Sequence, residues 1–298
     1  MIIILSFACT FSYAQKNYPP NIEEAEVYTY KVVNDVNLKL WVFNPPKHKI
    51  ESKVPAIVFF FGGGWNAGSP SQFVHHCEYL AARGIVAMVA DYRVYSRNKV
   101  RANICVADAK SALRWVREHA SEIGVDPNRI VAGGGSAGGH LAASTACLPD
   151  FDEPTENLSI SSKPNALVLF NPALVLAPIN GVSDEYQKKL QNLEIRLGAK
   201  PESMSPFHQI KKGLPPTIIF HGTDDQTVPF KTVVLFAEKM KEMGNECTVV
   251  AYQDEQHGFF NYGKKANGAF IDSVNRMDQF LVSLGYLQPT PKTNVLVE

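Results

Sequence analysis

An excess of either charge is missing from this 298-residue chain, where 29 Lys and Arg stand against 29 Asp and Glu. Without a basic field nothing holds nucleic acid or an anionic membrane, so the expected partner is small or neutral. Cysteine is scarce: there are five, none in a C-x-x-C pair. That removes support for zinc, and Cys77, Cys105, Cys147 and Cys247 read as buried free thiols. Internal repeats, low-complexity tracts and Pro/Gly/Ser-rich linkers are also absent, which points to one domain. A chain of this length buries enough core to fold without a metal or disulfide staple.

What is present begins with an apolar, uncharged stretch from Met1 to Tyr13. It is too short to cross a membrane as a helix. Ser12-Tyr13-Ala14 sets small residues at both cleavage positions before Gln15. Residues 1–14 are therefore expected to be a signal peptide and the product to be periplasmic or secreted. No Lys or Arg precedes Ile2, a departure from the usual basic start. Ser6-Phe7-Ala8 is a poor lipid-attachment signal ahead of Cys9.

Apolar runs rich in Val, Ile and Phe at Pro55–Phe61 and Ile85–Asp91 suit strands buried on both faces. Further strands are expected at Leu38–Phe43, Ile130–Ala132, Ala166–Asn171, Thr217–His221 and Cys247–Tyr252. Helical spacing occupies Phe73–Arg83, Val106–Ile123, Leu141–Cys147, Val233–Met243 and Ala269–Leu284. Such alternation implies an α/β fold with a mostly parallel sheet covered on both faces. The polar interval 172–213 is too long for a simple connection and reads as a cap or lid insertion.

Gly133-Gly134-Gly135-Ser136-Ala137-Gly138-Gly139 lies between a strand and a helix. It satisfies both the dinucleotide pattern G-x-G-x-x-G and the nucleophile elbow G-x-S-x-G. A dinucleotide turn follows the first strand of its unit, with an acidic residue about 20 positions later. Here several strands come first, and the following helix ends in Pro149-Asp150-Phe151-Asp152, so the elbow is preferred. A serine nucleophile needs an oriented base, supplied in this architecture in the order Ser, acid, His on later loops. His221-Gly222-Thr223-Asp224-Asp225-Gln226-Thr227-Val228-Pro229 and Gln256-His257-Gly258-Phe259 stand where those loops are due.

Together these segments resemble the α/β-hydrolase carboxylesterases, in the acetyl-esterase and xylan-esterase-like branch related to hormone-sensitive lipase. The resemblance runs from about Val27 to Leu284 and implies one catalytic domain over 15–298, with an α/β-hydrolase fold and no cofactor. It implies Ser136 as nucleophile, His257 as base and then acid, and Asp225 as the orienting carboxylate, with Asp224 as the alternative. It also gives the run Phe59-Phe60-Phe61-Gly62-Gly63-Gly64-Trp65 a purpose. The amides of Gly63, Gly64 and Ala137 would face the oxyanion, and Gly62 would shape the turn. Related esterases begin that loop with His where this chain has Phe61, which is expected to pack behind the loop. Gly135 replaces the acidic residue that hormone-sensitive-lipase relatives carry before the serine, which favours the carbohydrate-esterase side.

Other residues are weighed the same way. Trp65 either stacks on a sugar ring or acyl chain or wedges the loop. Tyr92 is a candidate pocket residue, while Arg93 beside it suits a buried pair with Asp108. His140 reads as a packed, hydrogen-bonded histidine, His221 as a support for the acid loop, and His75-His76 as solvated surface. Glu255 is an exposed loop carboxylate or a support for His257. The expected substrate is an acetylated sugar, xylan or another small acyl ester. The rivals are a short-chain lipase, a feruloyl esterase, a catalytically silent binding protein of the same fold, and a dinucleotide oxidoreductase.

Overall fold

A computed structural model describes residues 18–191 and 193–289; the expected signal peptide lies outside them. Among the described residues one eight-stranded sheet is formed by β1 (Glu26–Val33), β2 (Val36–Phe43), β3 (Val54–Phe60), β4 (Val86–Ala90), β5 (Val125–Gly135), β6 (Ala166–Phe170), β7 (Thr217–Gly222) and β8 (Cys247–Tyr252). The spatial order is β1-β2-β4-β3-β5-β6-β7-β8. From β4 to β8 the pairing is parallel, while β1 and β2 add an antiparallel hairpin at one edge.

The helices are α1 (Val74–Arg83), α2 (Tyr95–Asn98), α3 (Ala102–Glu118), α4 (Ala137–Cys147), α5 (Asp184–Leu190), α6 (Leu193–Leu197), α7 (Pro201–Met204), α8 (Phe230–Glu242) and α9 (Gly268–Ser283). Side-chain alternation divides β3 between two cores. Val58 and Phe60 face α3, α4 and α8, while Ile57 and Phe59 face α1 and α9. Each buried Phe contributes about 2–3 kcal/mol, which explains why apolar runs mark these strands.

Three differences from the expected elements have physical causes. β1 alternates polar with apolar residues and lies half exposed at the edge, so no continuous run announces it. α3 starts four residues before Val106 because Ala102 and Cys105 continue its buried face. β5 does not stop at Ala132: Gly133 and Gly134 pair with Phe59 and Phe60, and Gly135 pairs with Phe170. A Cβ on Gly133 would lie 2.6 Å from the Phe59 ring, and one on Gly138 only 2.0 Å from the Phe60 carbonyl. These missing side chains let α4 rest directly on the strand ends.

The interval 172–213 contains α5, α6 and α7, with Val175, Tyr186 and Leu190 forming a small core of their own. The loop between α4 and β6 is fastened by charge instead. Lys110 and Arg114 of α3 are buried and bind Asp152, and Arg114 also binds Glu156 at 2.5 Å. Lys31 of β1 joins Asp108 and Glu153, each at 3.0 Å. Arg93 makes the expected pair with Asp108, at 2.7 and 2.9 Å.

Candidate active site

Ser136 alone makes the reversal from β5 into α4, at φ 55° and ψ −117°. That conformation is strained for a residue with a Cβ, and such strain gathers where a side chain must be presented. Ser136 N–H donates to Phe170 O at 2.8 Å, and Ser136 O accepts from His140 N–H at 2.9 Å, which holds the bend.

His257 reaches Ser136 from the loop after β8, with Nε2 3.0 Å from Oγ. Its Nδ1 lies 2.7 Å from Asp225 Oδ2. An ionised carboxylate only accepts, so Nδ1 carries the proton and Nε2 is left to accept from the serine hydroxyl. Asp225 is buried and richly supplied with donors. Oδ1 accepts from the N–H groups of Thr227 and Val228, and Oδ2 from Asn171 Nδ2 at 2.7 Å. Burial alone would raise this carboxyl, but hydrogen bonds from His221 and His257 outweigh it and hold the group well below the ordinary carboxylate range. Asp224 turns elsewhere, to Gln226 at 2.9 Å and Gln256 at 3.4 Å.

The acid and histidine loops are sewn together. Thr223 N–H donates to Tyr252 O, Asp224 N–H to Glu255 O, and Asp254 N–H to Thr223 Oγ1. His221 Nε2 sits 2.8 Å from Val228 O and 3.2 Å from Asp225 Oδ2, supporting the acid loop as expected. Glu255 pairs with Lys265 at 2.8 Å.

The glycine loop after β3 comes beside the serine: a Cβ on Gly62 would lie 3.4 Å from Ser136 Cβ. The turn itself is made by Gly63 (φ 121°) and Gly64 (φ 63°), which corrects the expectation that Gly62 shapes it. Gly62 N–H is occupied by Gln72 Oε1 at 2.6 Å. Among the described residues no acceptor is found for the N–H groups of Gly63, Gly64 and Ala137. Gln72 Nε2 continues to Asn261 Oδ1 at 2.9 Å, and Asn261 Nδ2 to Gly258 O at 2.8 Å. This bridge links the glycine loop to the histidine loop. Arg196 of α6 donates to Gly64 O at 2.7 Å.

Phe61 is buried and stacks on Tyr92 with ring centroids 4.1 Å apart, packing behind the loop as expected. Tyr92 does not line a pocket. It is fully buried and its hydroxyl donates to Phe61 O at 2.7 Å, so it braces the loop from behind. Trp65 is also buried and wedges the loop, its indole N–H donating to His140 Nδ1 at 3.2 Å. His140 Nε2 then donates to Met204 O at 2.8 Å, and burial lowers this imidazole to about 4, so it is neutral. His75 is exposed beside Glu78, but His76 is not solvated surface. It is sealed among Phe59, Phe73, Phe170, Phe260 and Phe270, with no partner for either ring nitrogen among the described residues. Burial, then His75, lower it to about 3.

Gln72, Asn261 and Arg196 carry no local signal in the sequence; Asn171 carries one, as the polar end of an apolar strand. Among the described residues no group of three His, Cys, Asp or Glu could hold a metal, and no helix is long and apolar enough to cross a membrane.

The family model described as BD-FAE matches residues 40–240. The chain belongs to this family of α/β-hydrolase esterases. Solved structures of Thermogutta terrifontis esterase 2 are 53% identical to this BD-FAE member in the propionate-bound form (TM-score 0.86) and 52% in the form phosphonylated by sarin (TM-score 0.88). Each comparison covers 92% of this chain and 100% of the other. Carboxylesterase NlhH of Mycobacterium tuberculosis is 31% identical over 258 residues, 81% of this chain and 76% of that protein. The Arabidopsis thaliana protein named probable isoprenylcysteine alpha-carbonyl methylesterase ICMEL1 is 29% identical, covering 80% of this chain and 52% of its own. An acetylxylan esterase of Xylanibacter ruminicola is 28% identical, over 81% of this chain and 47% of its own. The chain thus spans about half the length of several curated relatives it matches.

Proposed function

We propose that this protein is a serine carboxylic-ester hydrolase acting through Ser136, His257 and Asp225, on acetylated sugars or other esters of short acids. The observation that carries the reading is the single imidazole bridging Ser136 Oγ at 3.0 Å and Asp225 at 2.7 Å. Ser136 Oγ attacks the ester carbonyl while His257 Nε2 takes the hydroxyl proton. The resulting oxyanion is met by the amides of Gly63, Gly64 and Ala137, donors that each contribute about a hundred- to a thousandfold in rate. Collapse passes the His257 proton to the departing alcohol and leaves an acyl-enzyme. Water, deprotonated by His257, then attacks the acyl carbonyl and releases the acid.

A short acyl group is supported by the propionate- and butyrate-bound states of the Thermogutta esterase, and a sugar alcohol by the acetylxylan esterase among the relatives. Residues 172–213 serve as the cap, a reading supported by Arg196 on Gly64 O and Met204 O on His140. Substitutions in α6 should therefore shift acyl-length preference while Ser136 stays reactive toward a phosphonate. Export rests on residues 1–14 alone. An exported product whose first residue is not Gln15 would refute cleavage at that point.

The test is hydrolysis of 4-nitrophenyl acetate and acetylated xylan, with a fluorophosphonate used to label the nucleophile. Ser136→Ala should lower kcat by about 10⁴-fold or more and abolish the adduct. Turnover surviving that substitution would refute the mechanism.

A further inference from the structure

A cleft of about 390 Å³ opens beside the glycine loop, lined by Gly64, Trp65, Asn66, Tyr95, Val100, Arg101 and Arg196. Its cations are unusual in a chain of zero formal charge. Arg196 lies over the Trp65 ring at 5.3 Å, and Arg101 and Lys99 lie over the Tyr95 ring at 5.5 and 5.4 Å. Arg196 also donates through Nη2 to Gly64 O, which leaves its other N–H groups for a second acceptor. The buried cations Lys31, Lys110 and Arg114 and the half-buried Arg93 have carboxylate partners, whereas Lys99, Arg101 and Arg196 are exposed to solvent. Among the described residues no carboxylate pairs with Lys99, Arg101 or Arg196.

The cleft is also near enough to Ser136 to act on a substrate. Gly62 abuts the serine and Gly64 lies two residues further on, so the Cα atoms of this wall are separated by at most about 7 Å. Guanidinium groups present paired N–H donors in the fork that a carboxylate accepts. The exposed Tyr95 ring gives the cleft an apolar wall for a linker between that carboxylate and the ester.

We infer that this cleft receives a carboxylate carried by the ester substrate and held by Arg101 and Arg196, an inference that rests on the ester-hydrolase reading above. The carboxylate can sit on the acid half, as in a half-ester of a dicarboxylic acid, or on the alcohol half, as in a uronate-like sugar. Two substrate pairs separate these sources. The acyl pair is the 4-nitrophenyl half-ester of adipic acid and the 4-nitrophenyl ester of adipic monoamide. The alcohol pair is 4-acetoxybenzoate and 4-acetoxybenzamide.

In at least one pair the charged ester should show kcat/KM about tenfold above its neutral partner. That ratio should drop at least fivefold in Arg101→Gln and in Arg196→Gln. It should also fall as NaCl rises from 0.05 to 0.5 M in the native enzyme, a reading that needs no variant. A ratio at or below one in both pairs overturns the inference while leaving ester hydrolysis intact. So does a tenfold preference that salt and both substitutions leave unchanged. No turnover of any of the four esters would overturn the ester-hydrolase reading and this inference with it.

Discussion

Two glycine triplets stand side by side in this sheet and do opposite work. Gly62-Gly63-Gly64 follows β3, while Gly133-Gly134-Gly135 ends β5, and Phe60 pairs with Gly134 across the two strands. In the first triplet the decisive property is backbone rotation: Gly63 and Gly64 take positive φ, where a side chain costs about 1–2 kcal/mol. In the second the backbone stays in the strand and the decisive property is room. A Cβ on Gly133, Gly134 or Gly135 would lie within 2.6 Å of Phe59, Gly138 or Phe260. The loop glycines present amides, and the strand glycines set how close a helix and its neighbouring rings may come. Equal composition hides two mechanisms that respond to mutation differently.

The largest separation is expected from Gly64→Ala, which should lower kcat by roughly a hundredfold, the value of one misplaced oxyanion donor, beside a loss of about 1–2 kcal/mol in urea titration from its left-handed backbone. Gly133→Ala should lose stability and leave kcat nearly untouched. Overpacking against Phe59 should cost about 1–3 kcal/mol in urea titration, with kcat per folded molecule within about twofold of the parent. If the two variants trade these effects, the comparison is broken. Gln72→Leu comes next, because it frees Gly62 N–H and cuts the bridge to Asn261. A fall of about tenfold in kcat with KM nearly constant is expected in steady-state assays; a change confined to KM would remove Gln72 from the positioning of the loops.

The smallest effect concerns the rings behind the strand triplet. Phe59, which fills the space above Gly133, lies 5.9 Å from the uncharged His76. Folding depresses this imidazole to about 3 from its ordinary 6.5, so the unfolded chain takes up the proton first. Its contribution to stability is present above pH 6.5 and is lost as pH falls toward 3. Between pH 7.5 and 5.5 the loss should be about 1 kcal/mol. His76→Phe should show that much less acid sensitivity in urea titrations, and an unchanged pH slope would exclude His76 as a source.

The parts of the site readable from sequence are those whose chemistry is local. Ser136, Asp225 and His257 each sit in a short loop of distinctive residue types, and β3 and β4 announce themselves through runs buried on both faces. Glycine has no apolar pattern, so the strand character of residues 133–135 emerges only from pairing with β3 and β6. Gln72 and Asn261 are 189 residues apart, and Asn171 and Asp225 are 54 apart; no local pattern signals such contacts. His76 was within reach. Phe73, His76, Cys77 and Leu80 share one helical stripe, a spacing that outweighs the polarity of a His-His pair.

The charges that fasten the loop between α4 and β6 also change the protein's behaviour toward reagents. Lys31 and Lys110 are 8% and 2% exposed, and both amines are held by carboxylates. An acylating reagent that modifies the surface lysines within minutes should leave these two unmodified until β1, α3 or the loop lets go. Peptide mapping of their labelling would then time the opening of this side of the molecule, independently of whether the active site works.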